Sequence, residues 1–177
     1  MPIQIFWLLF VCTMTATCAF IFVSSAALPD MVAASFNADG VARGLMAKAD
    51  YRNLILGTAI VIGISHAAIF GFISKLPTSV INMPNRDYWL SEAHRESTMQ
   101  YFAKFGISLS TVVVLMIAGL HWCVLMAHHG SSAAIPPVMP NNILWAIMGS
   151  GIAAIVLMFI LLIARFKSAK LTSPQKS

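Results

Sequence analysis

Charge is scarce in this sequence. Only 10% of its 177 residues are Asp, Glu, Lys or Arg, where an ordinary soluble domain carries about 25%. Cysteine is scarce too: Cys12, Cys18 and Cys123 are an odd number without metal-binding spacing, which points away from a disulfide framework. All three fall in apolar runs and read as small buried residues. No GxSxG, HExxH, P-loop or Gly-rich dinucleotide loop occurs, so the common hydrolase and nucleotide-binding signatures are missing. The 11 Lys and Arg give a formal charge of +5. They are scattered between apolar runs and at the C-terminus, without the basic stripe that nucleic acid requires.

What the sequence has is apolar surface. At 59% hydrophobic, a chain of this size cannot hide its side chains in a soluble core, so lipid is the implied solvent. Four runs approach the ~20 residues that a bilayer core demands: Ile5–Ala27, Leu54–Ser74, Phe105–Ala127 and Ile143–Arg165. The first lacks a basic start and exceeds the ~7–15 apolar residues of a signal peptide, so it is expected to be an uncleaved anchor.

The loops give an orientation. Segment 129–142 contains no Lys or Arg, whereas the chain beyond the fourth run carries Arg165, Lys167, Lys170 and Lys176. Positive residues stay on the cytoplasmic side. The tail 166–177 is therefore expected inside, and with an even number of spans so is the N-terminus. Loop 28–53 then lies outside and loop 75–104 inside. Arg43, Lys48 and Arg52 in the outer loop run against this scheme, but the last hairpin outweighs them. The expected fold is an all-α integral membrane protein, one domain over 1–177. It has four transmembrane helices, a small extracytoplasmic loop lid and a cytoplasmic amphipathic helix.

Two polar stretches interrupt the runs. In "INMPNRDYWL", Pro84 and Asn85 favour a turn, Tyr88 and Trp89 suit the headgroup level, and Arg86 meets lipid phosphate or Asp87. Together with Asn82 these form a cytoplasmic motif, read as a membrane-surface turn or a partner-binding element. In the following "SEAHRESTMQYFAKFG", Ser91 is a plausible N-cap with Glu92 in the first turn. That helix can continue into the third span. Small residues recur every four positions at Ala59, Gly63, Ala67 and Gly71, and again at Ala146, Ser150 and Ala154, as in close helix packing.

Ionisable residues inside the bilayer are few. His66 and His121 are candidates for a haem b pair, one axial nitrogen from each. Their depths weigh against it: about 18 Å from the outer end of the span for His66 and about 10 Å for His121. Hydrogen bonds to Ser or backbone groups explain both equally well. His128 and His129, at the end of the third span, are a weaker metal candidate, because adjacent helical residues diverge by about 100°. No resident cofactor or metal is expected.

The outer loop, "ALPDMVAASFNADGVARGLMAKADY", is the most patterned segment. Pro29 ends the first span, Val32–Phe36 can extend, Asn37 to Gly40 supply turn chemistry, and Gly44 precedes a return segment. At Leu28, Pro29, Val32, Phe36, Asn37, Gly40, Gly44 and Lys48 the chain resembles the bacterial membrane domain of unknown function at the start of SdpI-like immunity proteins. The position that usually holds His is Ser35 here. The likeness covers about 70 residues, from the first span to the second; "NMPNRDYWL" is similar to a segment of four-span proteins with this domain. The resemblance implies a small non-enzymatic protein of the bacterial inner (plasma) membrane, concerned with immunity or membrane sensing, whose partners are the lipid bilayer and a protein in the membrane or at its cytoplasmic face. An accessory subunit of a larger membrane complex and a haem b redox protein remain the alternatives.

Overall fold

A computed structural model describes residues 1–129, 131 and 136–167. Lys170, Lys176 and most of the tail lie outside them. Four helices are long and apolar enough to cross a membrane, which makes this a multi-pass membrane protein. They are α1 (Ile3–Ser24), α2 (Lys48–Gly71), α4 (Arg95–His128) and α5 (Asn141–Lys167), with a single turn, α3 (Arg86–Trp89), between α2 and α4.

The helix limits depart from the apolar runs in informative ways. Helix α2 opens at Lys48 rather than at Leu54, since polar residues beyond the apolar stretch continue the helix and Asp50 suits the positive end of its dipole. Helix α4 opens at Arg95, not beside Ser91. The Ser91 hydroxyl donates to the Tyr88 carbonyl at 2.7 Å instead of capping the helix. From Arg95 the helix continues for 34 residues without a break. At 1.5 Å per residue that is about 51 Å, well beyond the ~30 Å hydrocarbon core. Residues 95–104 are thus the overhanging start of α4.

Between α1 and α2 the chain forms an antiparallel hairpin, β1 (Met31–Phe36) and β2 (Ala42–Ala47). Val32 and Ala33 turn inward and are buried. The register shifts between Ala33 and Ser35, a bulge, and just before it the Ala33 N–H points away from β2, since Ala33 and Leu45 form a non-hydrogen-bonded pair. The turn needs its glycine. Gly40 has φ +83°, and a Cβ there would stand 2.9 Å from the Met139 carbonyl oxygen. Asn37 Oδ1 accepts from Val41 N–H at 2.7 Å, the local side-chain-to-backbone bond that asparagine makes in turns. The segment before α5 joins the edge, with Met139 N–H donating to the Gly40 carbonyl at 2.8 Å and Val41 bridging Val138.

Helix α4 is the centre of the bundle and packs against α1, α2 and α5. Ala59, Gly63 and Ala67 are buried in α2. A Cβ on Gly63 would strike Met14 of α1 and Val114 of α4, so this ridge brings the three helices close. In α5 the buried small residue is Gly151, packed against Met116. Ala146 and Ser150 of the expected ridge are exposed, because the face α5 turns to α4 is rotated from it. Clusters around Phe10, Ile107 and Val114, and around Ile21, Ala59 and Ile117, fill the bundle. A third, with Leu28, Val32, Tyr51, Cys123 and Met139, lies under the hairpin.

Candidate functional site

The polar residues gather at the two ends of the bundle. At the hairpin end, His121 is fully buried between three helices. Its Nδ1 faces the Tyr51 hydroxyl at 2.9 Å and its Nε2 the Ser24 Oγ at 2.8 Å. The direction of these bonds follows from proton counting. Ser24 gives its single hydroxyl hydrogen to the Phe20 carbonyl, 2.5 Å away, so toward His121 it can only accept. The ring therefore carries its hydrogen on Nε2, and Nδ1 accepts from Tyr51. One chain of hydrogen bonds runs from α2 through α4 into α1. Tyr51 also stacks on the ring at 5.7 Å and Phe20 meets it edge-on at 5.3 Å.

Two turns further along α4 toward the hairpin, His128 does a different job. Its Nε2 accepts the Ala33 N–H at 2.9 Å, the amide that faces away from β2. Since Nε2 accepts, the hydrogen of the neutral ring is on Nδ1, and Nδ1 is buried without a partner among the described residues. His128 lines an open cleft of about 550 Å³ together with Ser24, Leu28, Trp122 and Met126. His129 lines it too, at the C-cap of α4. Across the hairpin, Lys48 donates to the Leu28 carbonyl at 3.0 Å and pairs with Asp30 at 3.4 Å. Asp30 is fully exposed, so the ion pair contributes little; the bond to Leu28 ties the start of α2 to the end of α1. Pro29 is exposed at that corner, Phe36 packs on the cluster below the hairpin, and Gly44 lies opposite Ser35.

His66 stays apart from this group. Its Nδ1 donates to the Ile62 carbonyl of its own helix at 2.8 Å, and among the described residues it shares no partner with His121. No three His, Cys, Asp or Glu side chains gather among the described residues in a way that would hold a metal ion.

At the other end, the motif around Asn85 reaches a residue far along the chain. Asn85 takes a left-handed φ of 52°, which asparagine tolerates better than most residues. From there its Nδ2 donates to the Phe166 carbonyl at 2.9 Å, and Trp89 Nε1 donates to the same oxygen at 3.2 Å. That carbonyl is among the last four of α5, which have no partner within their own helix. The Phe166 ring is buried against Trp89, Tyr101 and Phe102, and Thr98 donates to the Trp89 carbonyl at 3.0 Å. Tyr88 stacks near His94 at 4.3 Å. Asn82, Pro84, Arg86 and Asp87 are exposed around this clamp. The motif is therefore more than a surface turn: it closes the C-terminal end of α5.

Ser24, Tyr51 and Phe166 carry these arrangements and were not singled out in the sequence. A signal for the first two existed, because Ser24 at the end of α1 and Tyr51 near the start of α2 lie at the same level as His121. Compared with known proteins, the chain matches no family model, no curated protein and no solved structure.

Proposed function

We propose that this chain is a small non-catalytic protein of the bacterial inner membrane, of the SdpI-like group, which acts in immunity or sensing by receiving a ligand at its hairpin end. In this reading the hairpin lies outside the cytoplasm, both termini lie inside, and residues 95–104 project from the cytoplasmic end of α4.

The observation that carries it is the double engagement of His128. One ring nitrogen holds the hairpin through Ala33 N–H. The other is a buried N–H without an acceptor among the described residues, on a residue that lines the open cleft. An unpaired buried donor costs on the order of 1–3 kcal/mol. A ligand that brings a carbonyl or phosphate oxygen to Nδ1 relieves that cost while Nε2 keeps the contact that seats the hairpin. The polar groups around it are engaged in holding helices together, which favours a receiver over an enzyme. Haem ligation would require His121 to release Tyr51 and Ser24.

Photo-crosslinking tests the reading. A benzophenone amino acid replaces Met126 in the cleft or Ile152 on the exposed face of α5, and the protein is irradiated in its native membranes. A discrete adduct from position 126 and none from 152 is expected. Identical products from both positions would sink it, and a Soret band in the purified protein would favour the haem alternative instead.

A further inference from the structure

A groove far from the hairpin carries a second site. Helices α1 and α5 lie on either side of α4 and scarcely touch each other. Near the start of α4 they leave a furrow of about 250 Å³, lined by Phe6, Tyr101, Lys104, Ser108, Met158 and Leu161. All but Lys104 and Ser108 offer apolar or aromatic surface. Lys104 leans into the furrow, its ammonium 6.0 Å from the Phe6 ring centre. It is half-buried at the end of the overhanging start of α4, and has no carboxylate within ion-pair distance among the described residues. Glu96, two turns earlier on α4, accepts from Gln100 at 3.3 Å. At the rim, the Arg165 guanidinium lies 4.2 Å over the Tyr101 ring. An apolar furrow with two cations at its membrane-surface end has the chemistry of one lipid.

We propose that the furrow between α1 and α5 binds an anionic phospholipid, with one acyl chain along Phe6, Met158 and Leu161 and the phosphate at Lys104 and Arg165. Positive charge next to apolar surface selects an acidic headgroup over a zwitterionic one, by about fivefold for each cation at the membrane surface. At about 250 Å³ the furrow is smaller than a pocket for a whole small molecule, which occupies roughly 300–1,000 Å³, but it suits a stretch of one chain. The site does not depend on the hairpin or on which leaflet it faces.

The test is native mass spectrometry of the full-length protein released from detergent, titrated with phosphatidylglycerol or phosphatidylcholine. The wild type retains phosphatidylglycerol in preference to phosphatidylcholine. Lys104→Gln weakens phosphatidylglycerol binding about fivefold, Lys104→Arg keeps it, and Ser108→Phe, which fills the furrow, lowers the binding of both lipids. Lys75→Gln is the control, since that ammonium lies over Phe72 and outside the furrow. Equal retention of the two lipids by the wild type overturns the proposal. So does unchanged binding in Lys104→Gln, or an equal loss in Lys75→Gln. Should Lys104→Gln fail to fold, Arg165→Gln and Ser108→Phe decide in its place, and unchanged binding in both overturns the site.

Discussion

Tyr51 and His121 face each other across 2.9 Å, hydroxyl to Nδ1, with their rings stacked 5.7 Å apart. The pair joins α2 to α4, and the bond from His121 to Ser24 extends the tie to α1. Between membrane helices such bonds contribute about 0.6–2 kcal/mol each. Tyr51→Phe keeps the stack and removes the hydroxyl, so it should cost about 1 kcal/mol. Ser24→Ala should cost a similar amount. The two bonds share one ring, and loss of either lets it turn. The double variant should therefore fall short of the sum by about 0.5 kcal/mol or more. Unfolding in mixed micelles by added SDS measures all three. Costs that simply add would show that the ring does not couple the helices.

Asn85 should be more sensitive than the charged residues beside it. Asn85→Gly keeps the left-handed backbone and loses the bond to the Phe166 carbonyl, at about 1 kcal/mol. Asn85→Ala loses the same bond and adds the strain of a left-handed alanine, about 1–2 kcal/mol more. Asp87→Ala, at an exposed position, should stay within about 0.5 kcal/mol of wild type. Melting temperatures of the three purified variants rank them. Equal values for Asn85→Gly and Asn85→Ala would remove the backbone argument.

How much of this was legible in the sequence depends on distance along the chain. Apolar run length is local, and it located four spanning helices to within a few residues except at Leu54 and Phe105, where helix continued into polar sequence. The turn from Asn37 to Gly40 is local too, because the residues that need it also form it. Partnership across the bundle is not local. His121 finds Tyr51 and Ser24 at separations of 70 and 97 residues, and Asn85 finds Phe166 at 81. A polar side chain in an apolar run announces that it needs a partner, but only the packing of α1, α2 and α4 says which. For the same reason the Asn85 motif looked like a surface element until the end of α5 was placed against it.

The proposed orientation has its own check. In a background lacking Cys12, Cys18 and Cys123, a cysteine at Asp39 should react with an impermeant maleimide added to intact cells. One at Asp87 should react only after the membrane is permeabilised. Both side chains are exposed, at opposite ends of the bundle. The charge asymmetry between the segment before α5 and the chain after it motivates this direction. Labelling at Asp87 alone in intact cells would invert the scheme.

Gly40 should resist replacement where Gly57 does not. At Gly40 an alanine meets a positive φ and the Met139 carbonyl 2.9 Å from its Cβ. Backbone strain alone amounts to about 1–2 kcal/mol, and any shift also disturbs the Met139 bond that seats the segment before α5. Gly57 in α2 has nothing within 4 Å of a Cβ among the described residues, and alanine there should be neutral or stabilising by up to about 1 kcal/mol. Detergent-extracted yield and melting temperature for the two alanine variants make the comparison. Similar losses at both positions would argue that helix and hairpin glycines are equally constrained.

Gly106 and Phe70 make the sharpest test of packing in the bundle. Gly106 is buried in α4, and a Cβ built on it runs into the Phe70 side chain of α2. Phe70 is also held edge-on by Phe105 at a centroid distance of 6.0 Å, so its ring has little room to yield. Overpacking of this kind costs about 1–3 kcal/mol, and Gly106→Ala should fall in that range. Phe70→Gly removes all three of the Phe70 atoms nearest to that Cβ and should be destabilising alone through lost contact and weaker helix propensity. Combined, the two changes are complementary: in the Phe70→Gly background, Gly106→Ala should cost less than half of what it costs in wild type. The quantity to measure is the coupling free energy from unfolding of the four proteins in the same mixed micelles. A coupling of zero would mean that Gly106 serves the flexibility of α4 rather than the close approach of α2. A coupling of about 1 kcal/mol or more is the size expected for side chains in direct contact, and it would establish that the two helices meet through this glycine.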